Sequence, residues 1–125
     1  MIEIDYSKDK LLTEFSFKTL EDRYLVGDEK SPQEAFARAA EAFADDDAHA
    51  QRLYDYASNL WFMFSTPVLS NGGTKRGLPI SCFLNYIEDS REGITDHYTE
   101  NAYLSSFGGG IGGSWSDVRA QGTKT

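Results

Sequence analysis

The chain's single thiol, Cys82, stands directly after Ser81 at the end of a stretch that concentrates reactive and backbone-shaping residues. Residues 64–82 read Phe-Ser-Thr-Pro-Val-Leu-Ser-Asn-Gly-Gly-Thr-Lys-Arg-Gly-Leu-Pro-Ile-Ser-Cys and hold two of the three prolines. Ser65, Thr66 and Ser81 offer hydroxyls, Asn71-Gly72-Gly73 offers free backbone donors in a turn, and Cys82 offers sulfur at the edge of an apolar run. Side chains of this kind can bind oxyanions and carry redox chemistry. The same residues also describe a plain helix-to-strand connection with an inert cysteine, because free Cys often packs as a small hydrophobe. Two further stretches invite a site. Asp45-Asp46-Asp47 can bind a hard cation, but consecutive aspartates before a helix more simply cap it and face its positive end. Gly108-Gly109-Gly110-Ile111-Gly112-Gly113 lets a backbone approach a ligand closely, or serves as a flexible linker; it lacks the Gly-Lys-Ser/Thr of a phosphate loop.

The elements that must position these residues follow from periodicity and capping chemistry. Residues 1–30 carry apolar positions without a clean period and predict short helices over 7–15 and 18–24, then a turn at Gly27-Asp28. Ser31-Pro32-Gln33-Glu34 is a helix start: Ser31 can accept an amide, Glu34 can reach back, and Pro32 suits the first turn. The helix that follows, ending near Ala44, should bury Ala35, Phe36, Ala39, Ala40 and Phe43. A further helix is predicted over 48–64, with Leu53, Ala57, Leu60, Trp61 and Phe64 as its core stripe and His49 solvated. Pro67 pushes Thr66 toward an extended conformation, and Val68-Leu69 reads as a short buried strand. Residues 80–87 form the clearest strand, with Ile80, Cys82, Leu84 and Tyr86 on one face. Glu88-Asp89-Ser90 then caps a helix over 91–107, only partly apolar and so suited to packing against a partner.

Composition narrows the function. A chain of 125 residues suffices for one domain with a modest core. A net charge of -8, with twelve scattered basic residues, argues against nucleic-acid binding through a basic face, although backbone donors and an arginine can still hold a small anion. One cysteine excludes an intrachain disulfide and a multi-cysteine zinc site. No leader pattern and no membrane-length apolar run are visible, so a reducing cytoplasm is the default.

Thr-Pro-Val-Leu-Ser-Asn, followed by Ser-Cys, then Gly-Gly-Gly-Ile-Gly-Gly and Arg119, resembles the catalytic (large) subunit of class I ribonucleotide reductase. The motif order runs without a gap from Asn59 to Arg119 and more loosely back to Ser31. The resemblance implies an α/β fold: a helical region at 1–64, then, at 65–125, the first strands and helices of a ten-stranded α/β barrel, incomplete alone. Many relatives carry a small ATP-binding regulatory domain ahead of this region; residues 1–30 do not fit one, and that mode of control is not expected here.

Carried over residue by residue, the resemblance makes Cys82 one of two thiols that reduce the substrate ribose and become a disulfide. Thr66 and Ser81 would hold substrate, with Gly109 and Gly110 lining its pocket. Asp89 would meet the ribose of a deoxynucleoside triphosphate or ATP effector and Arg119 its phosphates, with Ser90 also in the effector site and 112–118 as the specificity loop. Helix 91–107 would help form the dimer of assembled catalytic subunits. No cofactor is expected on this chain; the assembled enzyme would depend on a metal-radical small subunit and a dithiol reductant. The second redox cysteine, the radical-forming cysteine and the C-terminal cysteines are not among these residues. The chain is therefore expected to be a fragment, inactive alone, that complements a separate polypeptide carrying the rest of the barrel. The rival expectations are a nucleotide-binding regulatory module without chemistry and a structural interaction fragment.

Overall fold

A computed structural model describes residues 2–124, which fall into two compact units divided between Ile80 and Ser81. The first takes in the Thr66–Asn71 segment.

The first unit is helical and is organised around a helix that the Ser31 capping box starts. A 3-10 turn, Tyr6–Leu11, and α1, Glu14–Arg23, lead to α2, Pro32–Phe43. At the start of α2 the Ser31 hydroxyl accepts from the Gln33 amide, while the Glu34 carboxylate accepts from the amides of Ser31 and Lys30. Ala35, Phe36, Ala37, Ala39 and Ala40 are all buried. Alanines at these positions let neighbouring backbones come close, and α3, Asp47–Ser58, packs along α2. Phe43, expected in this core, is 46 % exposed: it sits at the last position of α2, where its ring reaches out over Gly72.

Buried Tyr54 of α3 joins the core to a polar network. Its hydroxyl accepts from the Asp5 amide at 2.8 Å and donates to Gln33 Oε1 at 3.2 Å. Gln33 and Ser31 in turn donate to the Asp9 carboxylate. Every polar atom of this buried cluster has a partner, as an interior of low dielectric requires.

Three sequence expectations change here. The helix expected over 48–64 stops at Ser58. Leu60 takes φ 60°, the Leu60 amide donates to the Ala57 carbonyl, and the Trp61 amide donates to the Tyr56 carbonyl. This is a Schellman ending with leucine where glycine is usual. Leu60 and Trp61 are therefore exposed and do not extend the core stripe. The strand expected at Val68-Leu69 is a helical turn, α4, Thr66–Asn71, and Thr66 opens it rather than lying extended. Pro67 in the first turn loses an amide that a helix start does not use, and the Leu69 amide closes the turn on the Ser65 carbonyl. Leu69 is buried against the core. Asp46 does cap α3, accepting from the His49 amide.

The second unit is one β-α-β crossover. Strand β1, Cys82–Tyr86, is followed by α5, Arg91–Ser106, and by β2, Gly110–Ser114. The strands are parallel, pairing Cys82 with Gly110 through Tyr86 with Ser114. The Gly-rich run is thus a strand, and the loop expected over 112–118 begins inside it. Ser90 caps α5 through the Gly93 amide. Helix α5 ends at Gly108, φ 81°, whose amide and that of Gly109 donate to the Ser105 and Leu104 carbonyls. The face shared by Ile80, Cys82, Leu84 and Tyr86 points to solvent, with Leu84 90 % exposed, while Ile87 is buried.

Candidate functional site

The predicted site residues of the second unit fall into two groups, one at each end of the strand pair. Ser81, Cys82, Gly109 and Gly110 share the N-terminal end. The Gly110 amide donates to the Ser81 carbonyl at 2.6 Å, and Cys82 pairs with Gly110 in register. Cys82 is a free, exposed thiol, 4.0 Å from the Ser81 hydroxyl. The inert buried cysteine of the plain-connection reading does not describe this thiol. Gly109 has no room for a side chain: a Cβ there would lie 2.9 Å from both the Phe83 ring and the Leu104 carbonyl. Its backbone is pressed against β1 and the end of α5, and this contact sets the start of β2 beside Ser81.

Asp89, Ser90 and Arg119 gather at the opposite end, about 16 Å away along five residues of strand. Arg119 Nε donates to Asp89 Oδ2 at 2.6 Å, and its terminal nitrogens donate to the carbonyls of Asp89 and Lys124. The ion pair is about a third exposed on both sides. The aspartate and arginine that sequence reading assigns to ribose and phosphate thus hold each other in the free chain.

Thr66 belongs to the first unit, where its hydroxyl lies 3.2 Å from the Tyr24 hydroxyl. Both border a groove of roughly 360 Å³ whose walls include Leu11, Phe15, Leu20 and Phe64. The lining is mainly apolar and its polar groups are the hydroxyls of Thr13, Ser16, Thr19, Tyr24 and Thr66, with no basic side chain to make it a phosphate cradle.

Sequence reading missed a polar cluster beneath the Asp89 end. His97, 6 % exposed, contacts Asn85 and Asn101 through its two ring nitrogens and lies edge-on to Trp115, 5.2 Å between ring centres. A histidine seven residues into a helix gives no spacing signal for this; Asn85, at an inward position of an apolar strand, is the one hint. Among the described residues, no group of three or more His, Cys, Asp or Glu is placed to hold a metal, and no helix is long and apolar enough to cross a membrane.

Comparison with known proteins gives a consistent result. Residues 10–77 match the protein-family model for the ribonucleotide reductase all-alpha domain, and residues 80–125 match that for the ribonucleotide reductase barrel domain. The large subunit of ribonucleoside-diphosphate reductase from Invertebrate iridescent virus 3 is 50% identical over 113 residues, covering 90% of this chain and 18% of that protein. The large subunit from Vaccinia virus is 40% identical over 126 residues, covering 96% and 16%. Among solved structures, the Actinobacillus ureae class Id ribonucleotide reductase alpha subunit superposes with a TM-score of 0.77 at 32% identity, covering 97% of this chain and 23% of that one. The chain thus spans less than a quarter of the length of these relatives. With its helical unit and its first β-α-β crossover both matched, the chain belongs to the ribonucleotide reductase large-subunit family, carrying the all-alpha domain and the start of the barrel domain.

Proposed function

We propose that this chain contributes one redox thiol, part of the substrate pocket and part of the effector site to a ribonucleoside-diphosphate reductase. The remaining barrel strands come from further polypeptide, in the split arrangement a separate chain. The observation that carries the reading is the exposed Cys82 thiol beside Ser81, Gly109 and Gly110 at one end of a parallel strand pair. In the assembled barrel, Cys82 and a second thiol each lose a hydrogen and join as a disulfide. The substrate gains a hydrogen at the ribose 2′ carbon, and its hydroxyl leaves as water. A dithiol reductant resets the pair by exchange. Thr66 and Ser81 donate to substrate oxygens, and the Gly109-Gly110 backbone lets the sugar approach without a Cβ in the way. Asp89, Ser90 and Arg119 take the ribose and phosphates of a deoxynucleoside triphosphate, and the Asp89–Arg119 pair holds these two side chains side by side. The partners are the barrel polypeptide, a radical-generating small subunit and a second catalytic subunit, in the cytoplasm.

The test mixes this chain with a polypeptide carrying the rest of the barrel and with the small subunit. It then measures deoxycytidine diphosphate formed from cytidine diphosphate with dithiothreitol as reductant. Turnover should need both polypeptides and fall to background with Cys82→Ser. Equal turnover by wild type and Cys82→Ser rejects the catalytic role, and would leave the Asp89–Arg119 end as a regulatory nucleotide site without chemistry.

A further inference from the structure

We propose that His97 is a positioning residue for the Asp89–Arg119 site, acting through Trp115; this rests on reading that site as a nucleotide site. The hydrogen bonds around His97 select a tautomer and an orientation of the ring. Asn85 Nδ2 donates to the Glu100 carboxylate at 3.1 Å and to Asn101 Oδ1 at 3.0 Å. A carboxylate only accepts, so the Asn85 amide has one orientation, and its oxygen is the atom 3.2 Å from His97 Nδ1. Nδ1 therefore carries the proton. Asn101, whose oxygen is taken by Asn85, presents its NH2 to His97 Nε2 at 3.0 Å, and Nε2 is the acceptor. The Nδ1–H tautomer satisfies both partners, and the ring is tied to β1 on one side and to its own helix on the other.

The held ring then sets the chain that follows β2. A Cβ on Gly113 would lie 2.6 Å from His97 Cε1, so glycine is what lets the imidazole press against the strand. Trp115, the residue after β2, meets the ring edge-on and also lies near Tyr98, 6.3 Å between ring centres. The Trp115 carbonyl accepts from the Val118 amide, closing a turn, and Arg119 comes next. Wherever Trp115 is placed, the turn and then the Arg119 guanidinium are carried with it to Asp89. No member of the His97 cluster touches Asp89 or Arg119 in a hydrogen bond, so its influence passes through the Trp115 turn.

Two substitutions divide the ring's roles. His97→Gln keeps a donor for Asn85 and an acceptor for Asn101 but removes the aromatic edge from Trp115. Gly113→Ala removes no hydrogen-bonding group but sets a methyl 2.6 Å from the ring and 3.1 Å from Asn85 Oδ1, pushing the ring away from β2. In wild type, nitrogen NMR should show the Nδ1-protonated neutral tautomer, and Arg119 Nε–H should be exchange-protected by Asp89. Both variants should lose the Arg119 protection and bind deoxyadenosine triphosphate about tenfold more weakly, on the scale of one hydrogen bond to a charged group. The unfolding midpoint should fall no more than it does for Asn101→Ala, a variant that weakens the network without touching Trp115. If Arg119 protection and nucleotide affinity stay at wild-type values in both variants, the positioning role is refuted. If wild type binds no nucleotide while the Arg119 signal still moves in both variants, the nucleotide reading fails and the positioning role stands.

Discussion

Replacing Arg38 by Met should be among the most damaging single changes in the helical unit. The Arg38 guanidinium donates to Glu29 from Nε at 2.7 Å and from a terminal nitrogen at 3.3 Å. It also donates to the carbonyls of Tyr24 at 3.1 Å, Leu69 at 3.0 Å and Gly72 at 2.6 Å. The Leu69 and Gly72 carbonyls lie at the C-terminal end of α4, where carbonyls have no partner within the helix. One side chain therefore fastens α2, the Tyr24 segment and α4 together, and α4 carries Thr66. Removing one partner of a buried ion pair costs about 3–5 kcal/mol. Both side chains keep roughly a seventh of their surface, 14% and 15%, which argues for the lower end, about 3 kcal/mol. For a unit of this size that is a fall in Tm of about 12–24 °C.

Circular dichroism at the helical minimum during thermal and urea unfolding reads this directly. Arg38→Lys should recover little, because an ammonium cannot span a bidentate carboxylate and three carbonyls at once. Glu29→Met/Arg38→Met should cost less than the two single losses added, by about 1 kcal/mol or more, since it strands no charge. A loss under about 1 kcal/mol for Arg38→Met, or strict additivity in the double variant, would refute the argument that burial of the pair gives Arg38 its weight.

Glu34 gives a pH-dependent counterpart. The Lys30 amide, followed by the Ser31 amide and the Tyr6 hydroxyl, holds its carboxyl below the ordinary value against a smaller opposing effect of burial. A depressed folded value means stability present above the unfolded value near 4.5 and lost as pH falls through the folded one. Glu34→Ala should therefore cost about 1 kcal/mol near neutral pH, with the gap to wild type narrowing below pH 4.5, as urea titrations at several pH values would show. At the strand pair, Gly109→Ala should displace Phe83 or the end of α5 at a cost of about 1–3 kcal/mol. It should also change the rate at which Cys82 reacts with a disulfide reagent, and an unchanged rate would separate Gly109 from the thiol. In hydrogen exchange, the amides of α2 should be protected far longer than those of β1 and β2, because a two-stranded sheet is marginal alone. Equal protection would show that the second unit has a core of its own.

What the sequence made legible was mostly capping chemistry, because a cap is local. Ser31 with Glu34, Asp46 and Ser90 each start a helix where their side-chain oxygens can meet an amide. The two Schellman endings mark the limit. At Gly108 the left-handed residue is glycine and the helix end could be read to within a residue. At Leu60 the same hydrogen bonds form around leucine, and nothing in the sequence announces it. Val68-Leu69 was ambiguous because two apolar residues are too few to reveal a period. The Gly-rich run hid a strand for a different reason: glycine weakens strands on average. Here Phe83, Leu84 and His97 fill the space that side chains at 109, 112 and 113 would need. Motif order located the candidate site residues, whereas His97 could be found only once β1, α5 and β2 were assembled.

The contrast between the two units predicts that the second gains stability when further protein packs against it. The helical unit buries Phe36, Tyr54 and Leu69 almost completely. The β-α-β unit leaves Leu84 90 % exposed, Phe107 89 % and Tyr86 70 %, with Tyr98 and Tyr103 also open. Parallel strands are ordinarily covered on both faces and joined along both edges. Burying a large apolar side chain contributes roughly 1.5–3 kcal/mol, so these five residues together represent on the order of 10 kcal/mol of unrealised stabilisation. That is comparable to the whole stability of an ordinary domain. The same exposed surfaces flank the Cys82 end and carry the crossover that leads to Arg119. Docking of further barrel strands would therefore order the proposed substrate and effector ends in one event, and thiol reactivity at Cys82 and Arg119 protection should change together when it occurs.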